Sequence, residues 1–259
     1  MPIHASPTER TPVSARRARR LISDSVALLI DWDGCLAFGD RLAPGAAKFL
    51  QEHADHIAIV SNNTTHVPED FVAFLAHEGV TLSRERILLA GPVTVHRAAR
   101  ETRRALVLAN ARLRHLAQCA GLETDAAEPE AVVLLRDTEF TYEKLQRAAN
   151  AIHGGARLYV GNPDLTHPDA NGTRVPETGA LLAALGATVN LSEVAVETIG
   201  KPGPTLFQQA CAALGVEPSQ ALMIGDNTAT DIAGARALGM PALRVGNGSK
   251  LSLAMLLEP

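Results

Sequence analysis

The run Val26-Ala27-Leu28-Leu29-Ile30-Asp31-Trp32-Asp33-Gly34-Cys35-Leu36 constrains this chain most, because an unbroken apolar stretch stops at two carboxylates one residue apart. Continuous aliphatic residues predict a strand buried on both faces, as in the parallel sheet of an α/β protein. In such sheets ligands gather outside the carboxyl ends of the strands, and a glycine there lets the backbone turn sharply and approach a ligand. Asp31, Asp33 and Gly34 are therefore expected at the rim of a site.

The pattern repeats along the chain. Pro44 to Glu52 carries Ala46, Ala47, Phe49 and Leu50 at helical spacing, and Ile57-Ala58-Ile59-Val60 is a second buried strand ending in the polar cluster Ser61-Asn62-Asn63-Thr64-Thr65. A helix follows over Pro68 to Gly79. From Ile87 to Gly179 strands are predicted at 105–108, 131–135 and 156–160, with a helix over 141–153, a texture that reads as a second α/β module inserted into the first. Val194 to Ile199 returns the chain to Gly200-Lys201-Pro202-Gly203-Pro204 and an amphipathic helix to Leu214. Ala221-Leu222-Met223-Ile224 then ends in Gly225-Asp226-Asn227, with Asp231 close behind, and Pro241 to Val245 closes the sheet. The expected organisation is an N-terminal basic extension over 1–20, flexible or loosely helical, a core built from 21–86 and 180–259, and the inserted module over 87–179.

Composition excludes several classes. At 259 residues and 46% hydrophobic, with a mean hydropathy of +0.06, the chain has an ample core and no apolar run near the roughly 18 residues that cross a membrane. A net charge of -4 and 3% aromatic content argue against a nucleic-acid binder. Arg97, Arg100, Arg103 and Arg104 read as a solvated helix face, and His53 and His56 as a solvated pair. Cys35, Cys119 and Cys211 suggest neither a disulfide framework nor a zinc site, which fits a reducing cytoplasm.

Several acids around one volume repel one another, and a hard cation relieves that; magnesium suits two side-chain carboxylates plus a backbone carbonyl. Asp31 is then placed to attack phosphorus, forming an aspartyl phosphate, and Asp33 to protonate the leaving oxygen and deprotonate water. Ser61 offers a hydroxyl, Asn62 a backbone N–H, and Lys201 a positive charge in a chain with only four lysines against twenty arginines.

The four motifs, Asp31-Trp32-Asp33-Gly34, Ser61-Asn62-Asn63, Lys201-Pro202 and Gly225-Asp226-Asn227 with Asp231, resemble those of the haloacid dehalogenase-like superfamily of aspartate-nucleophile phosphatases. The inserted module, with Glu139-Phe140-Thr141-Tyr142-Glu143-Lys144-Leu145 and Gly161-Asn162-Pro163-Asp164-Leu165-Thr166, is similar to the α/β cap of subclass IIA. The resemblance implies a Rossmann-like core with a smaller α/β cap, and a Mg2+-dependent hydrolase of a small phosphorylated metabolite of the sugar phosphate, phosphoglycolate, nucleotide or pyridoxal phosphate class. It implies Asp31 as nucleophile, Asp33 as acid/base and backbone-carbonyl metal ligand, and Asp226 as the further metal carboxylate. Ser61 and Lys201 would hold the phosphoryl group, with Gly34, Asn62, Asn63 and Asn162 around the substrate. Asn227 and Asp231 would form the outer layer, Asp231 orienting metal waters or Lys201. Homodimers through the cap are common in similar proteins. Trp32 and Cys35 depart from the usual aliphatic residue and the usual Thr or Val. A phosphometabolite-binding regulator on the same fold is the competing reading, and a haloacid dehalogenase, for which Asp33 would be dispensable, a weaker one.

Overall fold

The computed structural model describes residues 11–168 and 173–257. In chain order its elements are α1 (Thr11–Ser23), β1 (Ala27–Ile30), the hairpin β2 (Ala37–Phe38) and β3 (Arg41–Leu42), α2 (Ala46–Glu52), β4 (Ile57–Ser61), α3 (Pro68–His77), β5 (Ile87–Leu89) and α4 (Ala90–Ala99). There follow β6 (Ala105–Leu108), α5 (Ala111–Cys119), β7 (Ala131–Leu134), α6 (Tyr142–His153), β8 (Arg157–Val160), β9 (Thr166–Pro168), β10 (Arg174–Pro176) and α7 (Thr178–Gly186). The chain ends with β11 (Val196–Thr198), α8 (Thr205–Leu214), β12 (Ala221–Gly225), a π-turn at Thr228–Ile232 running into α9 (Ala233–Ala237), β13 (Ala242–Arg244) and α10 (Leu253–Leu257).

Two parallel sheets carry the molecule. The first has the order β13-β12-β1-β4-β5 and the second β11-β8-β7-β6. Within β1 the two-residue period sorts side chains to opposite faces: Leu28 and Ile30 pack with Phe49, Phe71 and Leu75, while Ala27 and Leu29 pack with Phe207, Ala210 and Met223. Burial on both faces is why these strands read as unbroken apolar runs. The second sheet is sorted likewise, with Val107 and Val133 on the side of α4 and α5, and Leu106 and Val132 on the side of α6 and α7. The α/β class with a parallel-sheet core is thus observed.

Three limits differ from the sequence reading. Ile87–Leu89 is an edge strand of the first sheet, and Val196–Thr198 an edge strand of the second, so the strands of the second sheet run from 105 to 198 rather than within 87–179. Parallel pairing is non-local, so nothing in these short runs announces which sheet they join. The arm is not a loose extension from residue 11 onward: α1 is a helix whose Ala15, Ala18 and Ile22 are buried, Ala18 and Ile22 in the core around Phe49. Their spacing of three and four gives an apolar stripe among the arginines. Residues 1–10 of that extension lie outside the described residues.

The basic run is not simply a solvated face. Arg97 reaches Glu101 at 2.6 Å and Glu197 at 2.9 Å, and Arg104 reaches Glu130 at 2.7 Å. His53 and His56 lie 3.3 Å apart, half-buried beyond the end of α2. Among the described residues no helix is long and apolar enough to cross a membrane.

Candidate active site

Asp31 and Asp33 leave β1 at its carboxyl end, Ser61 closes β4, and Asp226 follows β12, so three neighbouring strands of the first sheet deliver them to one edge. Lys201 arrives differently. It lies three residues beyond β11 of the second sheet, and the chain then enters α8, whose Leu206, Phe207 and Ala210 pack under the first sheet. A strand end of one sheet and a helix of the other layer together aim this ammonium at the rim.

Lys201 is buried, with Nζ 2.6 Å from Asp31 Oδ1, 2.7 Å from Asp231 Oδ1 and 2.8 Å from the Val60 carbonyl. Burial alone would lower its ammonium, but Asp231 and Asp31 outweigh that and hold it above the ordinary lysine value. Asp31 is pushed well up, first by burial and then by the charge of Asp231, against the pull of Lys201. Asp226 is pushed up to about 6 by burial and by Asp231. Asp33 reaches the cleft's solvent, yet the protein around it raises its carboxyl despite the opposing charges of Lys201 and His167.

Oxygens of Asp31, Asp226 and Asp231 all lie within 4.8 Å of one another. Four carboxylates, counting Asp33, share one ammonium, an imbalance that a hard divalent cation with oxygen preference offsets. At Gly34, where φ is +85°, an added Cβ would lie 2.4 Å from Asp226 Oδ2, so only glycine lets the first loop close on that acid. The Gly34 carbonyl is held in turn by the Asn247 N–H at 2.8 Å. The donor set and this cradle fit a magnesium ion.

Other expected residues are used differently. Asn63 Oδ1 accepts from the backbone N–H of Thr65 at 3.0 Å and of His66 at 2.9 Å, so its side chain shapes the turn into α3. Asn162 is buried, donating to the Asn62 carbonyl at 2.7 Å and accepting from the Asp164 N–H at 3.0 Å, so its amide braces the loop from within. The Asn62 side chain is bonded to the Lys201 backbone and to Asp164. Ser61 Oγ lies 3.5 Å from Asp33 Oδ2 and accepts from the Asn63 N–H at 3.1 Å. Asn227 Oδ1 caps the π-turn through Ala229, and its N–H donates to Asp231 Oδ2 at 3.0 Å. Asp231 thus stands beside Lys201 as well as beside the acids.

Sequence reasoning missed Arg244, whose Nε donates to the Asp226 carbonyl at 2.9 Å; it singled out Asp164 within the inserted module's motif but not its partner, Asn62, which the carboxylate meets at 2.8 Å. It also missed the hairpin β2–β3, which leaves Phe38 exposed a few residues from Asp33. The turn pair Gly39-Asp40 was the available signal for that hairpin. Trp32 is buried against Phe71, with ring centroids 4.5 Å apart, and Phe74, at 5.5 Å.

The whole arrangement has relatives. Residues 26–239 match the family model described as haloacid dehalogenase-like hydrolase. Dihydroxyacetone phosphatase of Corynebacterium glutamicum is 31% identical over 229 residues, covering 86% of this chain and 82% of the relative. Among solved structures, p-nitrophenyl phosphatase from Archaeoglobus fulgidus matches with a TM-score of 0.79 at 26% identity, over 88% of this chain and 89% of that one. Glycerol phosphate phosphatase from Mycobacterium tuberculosis in complex with magnesium matches with a TM-score of 0.77 at 27% identity, over 90% and 76%. With the family model spanning most of the chain, and phosphatases as its relatives in sequence and in structure, the chain belongs to the haloacid dehalogenase-like hydrolases and is a phosphatase of the subclass IIA, p-nitrophenyl phosphatase type.

Proposed function

We propose that the chain is a magnesium-dependent phosphomonoester hydrolase acting on a small phosphorylated metabolite, of the triose or sugar phosphate class, through an aspartyl phosphate on Asp31. The observation that carries this is the ammonium of Lys201 fixed 2.6 Å from Asp31 Oδ1, with Asp33 two residues on at the same strand tip. The substrate class is supported by the names of the relatives, a dihydroxyacetone phosphatase, acid sugar phosphatases and a glycerol phosphate phosphatase.

In this reading a free carboxylate oxygen of Asp31 attacks phosphorus. The ester P–O bond breaks, its electron pair leaves on the alcohol oxygen, and that oxygen takes the proton of Asp33, whose raised carboxyl is suited to hold one. Asp33 then accepts a proton from water, the water oxygen attacks phosphorus, and the bond to Asp31 breaks to release inorganic phosphate. Lys201 holds the Asp31 carboxylate and sets its positive charge beside the nucleophile, and Ser61 with the backbone N–H of Asn62 would offer donors to the oxygens of the transferring group. Asp31, Asp226 and the backbone carbonyl of Asp33 would hold the magnesium ion, beside Asp231, and it would supply charge neutralisation between the anionic nucleophile and the anionic phosphate. The second sheet and its helices act as the cap that selects the ester.

Phosphate release from p-nitrophenyl phosphate and a panel of triose, sugar and nucleoside phosphates, with and without magnesium, tests the reading. Asp31→Asn is expected to lower kcat by about 10^3-fold or more in a protein that remains folded. Wild-type turnover in that variant would remove Asp31 from the role of nucleophile. A wild-type protein that binds the esters without hydrolysing any would favour the regulatory reading.

A further inference from the structure

The amide of Asn62 is fully engaged. Its Oδ1 accepts the Lys201 N–H at 2.7 Å, and its Nδ2 donates to the Lys201 carbonyl at 3.0 Å, so one side chain brackets both backbone polar groups of the residue that carries the ammonium. The same Nδ2 donates to Asp164 Oδ2 at 2.8 Å. Asp164 belongs to the loop between β8 and β9 of the second sheet, and that loop is pinned further by Asn162 to the Asn62 carbonyl at 2.7 Å and by the Gly200 N–H to the Gly161 carbonyl at 2.8 Å. The fit is close: an added Cβ at Gly200 would lie 2.6 Å from Asn62 Oδ1 and 2.6 Å from the Gly161 carbonyl oxygen. At the other end of Lys201, its Nζ is fixed by Asp31 and by the Val60 carbonyl, two residues before Asn62. The end of β4 therefore holds Lys201 by its backbone and by its ammonium, and holds the cap loop through the same asparagine.

We propose that Asn62 and Asp164 form a latch that makes the seating of the 161–165 loop and the position of Lys201 one event, with Asn62 a positioning residue that acts through Lys201. A charge-assisted hydrogen bond is the stronger kind, and here it joins the loop after β4 of the first sheet to the loop after β8 of the second. The kinetic half of this inference rests on the phosphatase reading above; the structural half does not.

Hydrogen exchange and steady-state kinetics on the full chain test the two halves separately. Asp164→Ala removes the acceptor and leaves the bonds from Asn62 to Lys201; Asn62→Ala removes all three. Loss of this bond is expected to raise exchange about tenfold in both the 161–165 and the 199–203 segments of Asp164→Ala. With p-nitrophenyl phosphate and magnesium, kcat is expected to fall about tenfold in Asp164→Ala while KM moves less than about twofold. Asp164→Asn, whose amide oxygen still accepts from Asn62, should recover most of that loss, and the double variant should be no slower than Asn62→Ala alone. Exchange that rises only in 161–165, a loss carried by KM, or losses that multiply in the double variant would each overturn the latch. If wild-type protein hydrolyses no ester, the phosphatase reading fails, and the exchange pattern still decides whether the latch exists.

Discussion

Trp32, the only tryptophan of the chain, stands between the two acids of the first motif and packs its ring on Phe71 and Phe74 of α3. Trp32→Ala deletes a buried ring and is expected to cost about 3–5 kcal/mol in urea unfolding, since the pocket it leaves can collapse only partly. A loss under 1 kcal/mol would mean that α3 closes over the gap. Asp226 supplies a pH dependence. Its carboxyl, pushed up to about 6 in the metal-free site, must be ionised to hold magnesium. Magnesium affinity is therefore expected to fall as pH drops through 6, read by titration calorimetry. The apo protein follows the opposite sign: a carboxyl raised on folding contributes stability that is present at low pH and lost as pH rises through about 6. Asp31, Asp33, Ser61 and Asp226 are legible in the sequence because each follows an apolar run that ends abruptly. Asp164 and Arg244 are not, because what matters there is a partner far along the chain, 102 residues away for Asp164 and 18 for Arg244.

At the scale of elements, α3 shows how a helix end ties the layers together. The Asp70 carboxylate accepts the Val67 N–H at 2.9 Å, closing the first turn, and meets Arg112 of α5 at 2.6 Å. Burial alone would raise this carboxyl, but the Val67 N–H and Arg112 outweigh it and leave it below the ordinary aspartate value. Asp70→Ala is expected to cost about 1 kcal/mol, the usual price of a lost cap. The carboxyl is lowered on folding, so its contribution is present above the unfolded pKa and disappears as pH falls through the depressed value; wild type and variant should converge in stability once pH lies below that value, read by urea unfolding at a series of acid pH values. The strands at 57–61 and 221–225 and the helices at 142–153 and 205–214 are legible, since long apolar runs and clear stripes set them. By contrast α7 is apolar almost all round, as Thr-Gly-Ala-Leu-Leu-Ala-Ala-Leu-Gly, and gives no stripe to count. The two-residue strands of the β2–β3 hairpin are too short for any period to show.

Across the whole molecule, glycines set the distance between the two sheets. At Gly161 an added Cβ would lie 2.5 Å from Thr64 Cγ2 and 2.7 Å from Leu135 Cδ2, so the cap rim rests directly on the loop after β4. Gly161→Ala is expected to wedge the layers apart, lowering kcat/KM about tenfold while the melting temperature falls by only a few degrees. An unchanged kcat/KM would show that the spacing tolerates a methyl group. The presence of two α/β units is legible in the sequence from the recurrence of its texture. Which edge strand joins which sheet is not, and β11 is the case that matters most: it completes the second sheet three residues before Lys201. Grafting the cap of one relative onto the core of another would therefore have to cut beyond Thr198, because a junction near residue 180 strips β8 of its neighbour. Any such transplant carries the approach to the lysine with it, so that the second sheet and the tether of Lys201 are inherited together.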